Sequence, residues 1–315
     1  MATKQAMSPL KGKSAVLAGI ALVVVVAVAA AWFARDKPTA AAKVFCGPDG
    51  RLTSIEPHQS HRSYCVRAFT PVTGLKAGAP VTFIFDVIDD RGATLRQFAT
   101  VHDRMMHVIV VRHDLTQFQH VHPTYVAASG RFTVHDLVLQ TSGPYRLFAD
   151  FTPVGAMAGP DGQLLGVTVP VDLEVGDHAA YRLESLPAPS DTATVGDFEV
   201  TLLRPDTLRA GEMLPITFTI RRRGEVVTDL EPYLGANGHA VILREGDLAF
   251  IHSHALEDRA ALQRGTLPFR VHFAEPGRYR MFVQFQHRGA VQTMAFTLPS
   301  VAPPAAGAMS GGHGL

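Results

Sequence analysis

Short hydrophobic runs rich in Val, Ile, Phe and Thr recur from about residue 44 to residue 300, and turn signals separate them. The turns are rich in glycine and polar residues, and they lie at 47–50, 91–93, 128–131, 142–144, 222–225 and 275–277. Runs of β-branched and aromatic residues between such turns predict strands. No amphipathic helical period stands out in this region. The pattern therefore predicts an all-β chain built as a sandwich or a barrel.

One segment near the N-terminus follows a different pattern, because residues 15–34 are consecutive, uncharged and largely aliphatic. A helix of that length crosses about 30 Å of hydrocarbon. A secretory signal has a shorter apolar core of about 7–15 residues, so an uncleaved signal anchor is favoured, with cleavage near 38–42 as the alternative. The lysines before the run place residues 1–14 in the cytoplasm by the positive-inside bias. We expect a single-pass inner-membrane protein with a linker at 35–43 and a periplasmic bulk.

The region after the membrane segment contains an internal repeat. Residues 75–83 (LKAGAPVTF) align with 208–218 (LRAGEMLPITF), and 143–148 (GPYRLF) align with 277–282 (GRYRMF). The aligned anchors lie at the same places relative to the predicted strands of each half. The repeat therefore predicts tandem domains of one fold.

The repeat and the turn signals set the domain boundaries. We expect β-sandwich domains at 44–178 and 190–300, joined by a linker at 179–189, with errors of a few residues at each boundary. The chain has 315 residues, which agrees with about two domains. The tail at 301–315 is low in complexity, and we expect it to be disordered.

The composition agrees with a folded chain and limits the partners. Apolar residues make up 47% of the chain and charged residues 18%, which is enough to bury a core. The net charge of +1 indicates neither nucleic acid nor an acidic surface as a partner. The cysteines, Cys46 and Cys65, both lie on the exported side. In an oxidising compartment they most simply form a disulfide bond, and a metal site made of these cysteines is the less favoured use.

Histidine carries the strongest chemical signal in the sequence. The spacing H-x12-H-x-H occurs in both halves, at His107, His120 and His122, and at His239, His252 and His254. Between 107–122 and 239–254 only five of 16 positions are identical, and three of these are the histidines. Diverged copies that keep all three imidazoles favour metal ligation over packing alone.

Residues 105–122 predict a β-hairpin that brings the first three histidines together. Pairing His107 with His120 leaves a loop of two residues, whereas pairing it with His122 leaves a loop of four. Side chains alternate between faces, so in either register the histidines share one face with further residues. These are Met105, Ile109, Val111 and Phe118. We expect this apolar face to point into the core of its own sandwich, with the histidines towards one end.

The sequence indicates the ligand residues more clearly than it indicates which metal they bind. Three neutral imidazoles suit Zn, Cu or Ni. Met105 shares the ligand face and would favour Cu(I), although methionine also fills gaps in cores. Its counterpart in the second half is Asn237. Copper is therefore favoured and zinc is the alternative, with Met105 as a candidate further ligand of the first site.

The sequence predicts a binding protein rather than an enzyme. It contains no nucleophile elbow, no phosphate-binding glycine loop and no Cys/His catalytic pattern. Carboxylates are scarce near the histidines along the chain, so hydrolytic metal catalysis lacks an obvious general base. We predict neither catalytic residues nor an organic cofactor.

The other histidines have no matched partner in the opposite half. His58 and His61 lie in the expected disulfide loop and should be solvated, and Met309 and His313 in the tail are weak metal-binding candidates. Surface or incidental roles are expected for His102, His113, His135, His272 and His287. His102 and His113 are also candidates for a fourth ligand or for an outer-shell group.

Residues 106–123 (MHVIVVRHDLTQFQHVHP) and 233–254 (YLGANGHAVILREGDLAFIHSH) resemble bacterial exported β-sandwich proteins of the YtkA-like and FixH-like set. The resemblance covers the two hairpins and their flanking strands. It implies an immunoglobulin-like or cupredoxin-like fold and a link to copper or heavy-metal handling. A blue-copper site is not expected, because neither cysteine lies near a histidine hairpin.

The sequence thus predicts a membrane-anchored exported protein with one three-histidine site for a transition metal in each domain, for storage, delivery or resistance. Two alternatives stay open. One is a non-metal interaction or structural module of the envelope, in which the histidines bond to one another. The other is an assembly factor for a membrane oxidase or pump, which shares the metal chemistry and adds a specific partner.

Overall fold

The computed structural model describes residues 43–46, 64–159 and 164–303. The expected cytoplasmic segment, membrane anchor and most of the tail lie outside the described residues, as do His58, His61, Met309 and His313. Within the described part, no helix combines the length and apolarity that crossing a bilayer requires. The described residues, from Lys43 onward, form one compact unit, which holds both halves of the repeat.

The first half is built from strands, as predicted. They are β1 (Lys43–Cys46), β2 (Cys65–Ala68), β3 (Pro80–Ile88), β4 (Phe98–Ala99), β5 (Met106–Arg112), β6 (Phe118–Val121), β7 (Thr124–Val126), β8 (Arg131–Val138), β9 (Gly143–Pro153) and β10 (Val167–Val175). One sheet has the order β1-β2-β3-β8-β7 and the other β10-β9-β5-β6, with β4 paired to β9. The predicted Cys46–Cys65 disulfide joins β1 to β2.

The second half repeats this plan after a short 3-10 turn at His178–Ala180. Its strands are β11 (Thr192–Val195), β12 (Phe198–Leu203), β13 (Leu208–Arg209), β14 (Met213–Arg222), β15 (Glu225–Val226), β16 (His239–Arg244), β17 (Phe250–His254), β18 (Thr266–His272), β19 (Gly277–His287) and β20 (Ala290–Val301). One sheet has the order β11-β12-β14-β15, with β18 paired to β14, and the other β13-β20-β19-β16-β17. A short helix, α1 (Arg259–Gln263), precedes β18.

Each half encloses its own hydrophobic core between its two sheets. Phe83, Phe85 and Phe132 are buried in the first core, and Phe218 and Phe269 are buried in the second. The strand alternation that places these rings inward leaves polar side chains outward, which is the pattern of a sandwich. The all-β class predicted from the sequence is confirmed.

A third hydrophobic cluster joins the two sandwiches and corrects one prediction. Strand β5 is buried along its whole length, because its alternate residues contact different neighbours. Val108 and Val110 pack into the core of their own sandwich, whereas Ile109 and Val111 pack into the cluster that both halves share. The histidine-bearing face was expected to point into its own sandwich, and this expectation is wrong. It faces the other sandwich instead.

The two sandwiches contact each other through equivalent surfaces. Phe118 stacks on Phe282 with ring centroids 4.2 Å apart, and Phe148 lies 4.9 Å from Phe250. Positions 118 and 250 correspond in the repeat, as do 148 and 282, so the two contacts are copies of one another. Leu186, from the segment expected to be a linker, is also buried in this cluster. The interface therefore has the self-complementary form of an isologous contact.

Candidate metal centre

The two histidine hairpins lie in this interface, and both have the longer loop. In the first hairpin Ile109 pairs with His120, which leaves a loop at 113–116. This is the second of the two registers that the sequence left open. In the second hairpin His239 pairs directly with His254. The same register in both copies presents the three histidines of each hairpin on one face.

The first trio converges through one nitrogen of each ring. His107 is 5% exposed, and its Nδ1 lies 3.1 Å from Nε2 of His120 and 3.2 Å from Nε2 of His122. Nε2 of His107 donates to the carbonyl of Val101 at 3.3 Å, and Nδ1 of His120 donates to Oε1 of Gln284 at 2.6 Å. A neutral imidazole carries one N–H, so these bonds leave lone pairs on the converging nitrogens of both rings.

The second trio uses the same atoms at equivalent positions. Nε2 of His239 donates to the carbonyl of Tyr233 at 2.8 Å, and Nδ1 of His252 donates to Oδ2 of Asp150 at 2.8 Å. The remaining nitrogens, Nδ1 of His239 and Nε2 of both His252 and His254, are buried with no hydrogen-bond partner among the described residues. Buried polar atoms without a partner are rare and costly. Three such atoms at one place indicate a site for an added ligand.

The spacing within each trio suits a small cation. One ligand atom from each ring lies within 4.8 Å of the other two in both trios. Nitrogens held at about 2.0–2.1 Å from a tetrahedral ion are roughly 3.3 Å apart. The 3.1 Å and 3.2 Å separations in the first trio are close to that value. The structure thus brings together both sets of residues that the sequence singled out.

Burial keeps these imidazoles neutral. Desolvation lowers the pKa of His122 to about 3 and the pKa of His239 to about 4. Desolvation also lowers the pKa of the other four rings, those of His107, His120, His252 and His254. Repulsion between neighbouring rings adds to this effect. Because a metal binds the unprotonated nitrogen, rings that are already neutral at physiological pH need release no proton on binding.

Each trio is held from behind by a residue of the opposite sandwich. Asp150 on β9 accepts from His252 of the second trio, and Gln284 on β19 accepts from His120 of the first. Burial raises the pKa of Asp150 to about 6, against the opposing effects of His107 and a hydrogen bond from Thr168. The hydrogen bonds that Asp150 accepts from His252 and Thr168 favour its ionised carboxylate.

The sequence-based reasoning missed these supporting groups. It judged carboxylates scarce near the histidines, and the fold corrects this by bringing Asp150 to His252 across the interface. The alignment of 143–148 with 277–282, extended by two residues, does show that Asp150 and Gln284 are equivalent. Their partners lie in the other sandwich, so no local pattern could reveal the contact.

The histidines outside the trios lie in different environments. His102 was expected to be incidental or a fourth ligand, and it stacks on His254 with ring centroids 3.5 Å apart. His113 lies in the hairpin loop, 3.8 Å from Asp172. The surface expectation fits His135, which is exposed, and is wrong for His287, which is 4% exposed and bonds to Asp229.

Two further residues from the sequence analysis are not members of either trio. His272 is half-buried on β18. Met105 directly precedes β5 and is 42% exposed. Its role as a further ligand stays a prediction.

A family model described as Domain of unknown function (DUF8832) matches residues 65–159 and 193–302. These ranges cover more than half of the chain and include both trios. The chain belongs to the DUF8832 family. The match to DUF8832 supplies no function, and the resemblance to YtkA-like and FixH-like proteins stays an expectation. No curated protein sequence matches the chain.

Solved structures similar to this DUF8832 chain are distant. The soluble domain of PmoD from Methylocystis sp. ATCC 49242 is 16% identical and matches 35% of this chain and 96% of its own, with a TM-score of 0.23. Titin domains Z1Z2, solved with telethonin, are 14% identical over 76% of this chain and 97% of their own, with a TM-score of 0.19. Alpha-2-macroglobulin from Escherichia coli is 11% identical over 78% of this chain and 24% of its own, with a TM-score of 0.23. At these TM-scores none of the three similarities supports a conclusion about this chain.

Proposed function

We propose that this protein binds one transition-metal ion in each three-histidine site, with copper favoured, and serves metal storage, delivery or resistance in the periplasm. The observation that carries the proposal is the set of unpartnered, buried nitrogens of His239, His252 and His254. A cation at their common centre satisfies all three at once. Membrane attachment through residues 15–34, an immunoglobulin-like or cupredoxin-like fold for each sandwich and a link to the YtkA-like and FixH-like set belong to the same proposal.

Hydrogen bonding among the histidines, as in a non-metal interaction module, accounts for the site less well. His107 and His120 each use their N–H on an acceptor outside the trio. In the first trio only His122 can then donate to a neighbouring ring. In the second trio the converging nitrogens have no partner among the described residues. Without a further ligand, converging ring nitrogens therefore face one another with lone pairs.

The charge balance favours copper as Cu(I) over a divalent ion. Ring centroids across the interface are 5.6 Å apart for His107 and His252 and 6.3 Å apart for His120 and His239, against 4.6 Å for His252 and His254 within one trio. Two ions would therefore lie close together. Of the described carboxylates, that of Asp150 is the one hydrogen-bonded to a trio member. Burying ions costs more as their charge rises, so two monovalent ions suit a region with one compensating carboxylate better than two divalent ions.

A binding role agrees with how Asp150 is used. Its carboxylate accepts hydrogen bonds from His252 and from Thr168, so both of its oxygens are engaged. Hydrogen bonds from a ligand imidazole and from a threonine hydroxyl suit a carboxylate that orients that imidazole, which is the supporting role expected at a metal site. We therefore propose a metal-binding protein rather than a metalloenzyme. An oxidase or pump in the same membrane, as an assembly partner, is compatible with this chemistry.

The test is metal stoichiometry on the purified full-length chain. Cu(I) is titrated under reducing conditions against a chromophoric chelator, and Zn(II) is titrated in parallel. The wild type should bind two equivalents, and the double variant His120→Ala/His252→Ala should bind none. His135→Ala/His272→Ala, which removes the same number of imidazoles elsewhere, should keep both. Unchanged stoichiometry in the first double variant rejects the proposal.

Thermal unfolding separates the metal site from the non-metal module. A ligand that binds only the folded chain raises its Tm. Cu(I) should raise the Tm of the wild type and of the control variant, and it should leave the Tm of His120→Ala/His252→Ala unchanged. A Tm that is insensitive to metal in the wild type favours the non-metal module.

A further inference from the structure

The two sites support each other by an exchanged pair of hydrogen bonds. Asp150 of the first sandwich accepts from Nδ1 of His252 in the second, at 2.8 Å. Gln284 of the second sandwich accepts from Nδ1 of His120 in the first, at 2.6 Å. In each case the acceptor fixes the tautomer of a ligand ring and leaves its Nε2 for the ion. Neither site has its full outer support without the other domain.

The acceptors occupy equivalent positions and have equivalent neighbours. Asp150 lies opposite His107 in the β5–β9 register, and Gln284 lies opposite His239 in the β16–β19 register. Behind them, Thr168 donates to Oδ1 of Asp150 at 3.2 Å, and the side-chain amide of Gln284 donates to the Thr293 hydroxyl at 3.1 Å. The two sets of supporting groups thus differ chiefly in the acceptor, which is a carboxylate at Asp150 and an amide at Gln284.

That difference has a direct consequence for metal binding. A carboxylate that accepts the outer N–H of a ligand imidazole makes the inner nitrogen more basic and adds a negative charge near the ion, which a neutral amide does not do. Resting on the proposed function, we infer that Asp150 and Gln284 make the two sites unequal. The His239/His252/His254 site is the tighter one and loads first, and the His107/His120/His122 site is the weaker one. Both acceptors are positioning residues, because they act through the ligand rings.

The carboxylate of Asp150 can be replaced by an amide, and the amide of Gln284 by a carboxylate, without loss of hydrogen bonds. Asp150→Asn still offers an oxygen to His252, and its amide can donate to the Thr168 hydroxyl, as Gln284 does to Thr293. Gln284→Glu still accepts from His120, and the Thr293 hydroxyl can rotate to donate. Both substitutions keep the side-chain length. They therefore test the charge of the acceptor and change little else.

The experiment measures each site separately in the full-length chain. His122→Ala leaves the second site alone, and His254→Ala leaves the first site alone. Neither substitution removes His120 or His252, the two rings that donate the exchanged hydrogen bonds. Affinity for Cu(I) and for Zn(II) is measured by chelator competition in each background, with and without the acceptor substitution. Asp172→Asn, an exposed carboxylate on β10, is the matched control for loss of a negative charge.

We expect the second site to bind both metals more tightly than the first. Asp150→Asn should weaken the second site by about 10–100-fold, and Gln284→Glu should strengthen the first by roughly tenfold. Both effects should be larger for Zn(II) than for Cu(I), because the ion's charge is larger. A gain of affinity in Gln284→Glu cannot come from structural damage. Asp172→Asn should leave both affinities unchanged.

Two results overturn the inference in distinguishable ways. Equal affinities in the two single-site chains, unmoved by either acceptor substitution, reject the inequality and leave the proposed function standing. Failure of both single-site chains to bind Cu(I) or Zn(II), with the metal-free chains folded by thermal unfolding, rejects the proposed function and the inference with it.

Discussion

His102 of the first sandwich stacks on His254 of the second, with ring centroids 3.5 Å apart and ring planes 23° from parallel. His102 adopts a left-handed backbone conformation, with φ of 51°, in the turn that Val101 and Arg104 close. The carbonyl of Val101 in the same turn accepts from His107 of the first trio. One turn therefore contacts both trios. The equivalent turn of the second sandwich carries Leu234 in place of His102, so the coverage is not symmetric.

His102→Ala should speed metal release from the second site. The His102 ring covers His254, and its removal opens the site to solvent and to competing chelators. We expect release about tenfold faster from the second site, with little change at the first. Stopped-flow capture of Cu(I) by a chelator measures both rates.

His102→Leu is the matched control, since leucine occupies the equivalent position in the other turn. If His102 acts as a cover, this variant should release metal nearly as slowly as the wild type. Release as fast as that of His102→Ala would show that His102 is a ligand, which the sequence had left as an alternative.

Phe282→Ala should destabilise the pair of sandwiches. The Phe282 ring is 5% exposed and lies against Phe118 with ring planes 9° apart. Removing a buried aromatic ring costs about 3–5 kcal/mol. Urea unfolding of the metal-free full-length chain measures the loss. Val291→Ala, at a residue that is 40% exposed, should change the free energy of unfolding by less than about 0.5 kcal/mol. If Phe282→Ala lowered the free energy of unfolding as little as Val291→Ala does, the sandwiches would not pack this way in solution.

Arg112→Ala should be costly for a different reason. Nη1 of Arg112 lies 2.8 Å from Oδ2 of Asp114, and their side chains are 6% and 0% exposed. Without Arg112 the carboxylate stays buried and loses its countercharge, which costs about 3–5 kcal/mol. The exposed pair of Arg223 and Asp197 is the comparison, and Arg223→Ala should cost less than about 1 kcal/mol. Equal losses in the two variants, measured by urea unfolding, would contradict the buried character of the first pair.

Strand alternation was enough to predict the hairpins and the shared face of the histidines. It could not identify what that face contacts, because both faces of β5 are apolar. Val108 and Val110 on one side and Ile109 and Val111 on the other look alike in the sequence. Only the packing of the two halves decides which set enters the shared cluster.

The loop register was also beyond the local pattern. The observed loop holds Leu115 at a φ of 61°, a conformation that a sequence argument would assign to glycine. Leu115 is 2% exposed because it packs in the cluster between the sandwiches. Its burial compensates for the backbone strain. The supporting bonds from Asp150 and Gln284 were hidden for the same reason, since they too cross the interface.

The position of the bound metal is the most direct test of the central claim, that each trio surrounds one ion. Crystals of the full-length chain loaded with Cu(I), measured at the copper absorption edge, locate the ions by anomalous scattering. The account predicts one peak about 2.0–2.1 Å from Nδ1 of His107 and from Nε2 of His120 and His122, and a second peak in the same relation to His239, His252 and His254. Copper bound elsewhere, or trios without a peak in a loaded crystal, would contradict it.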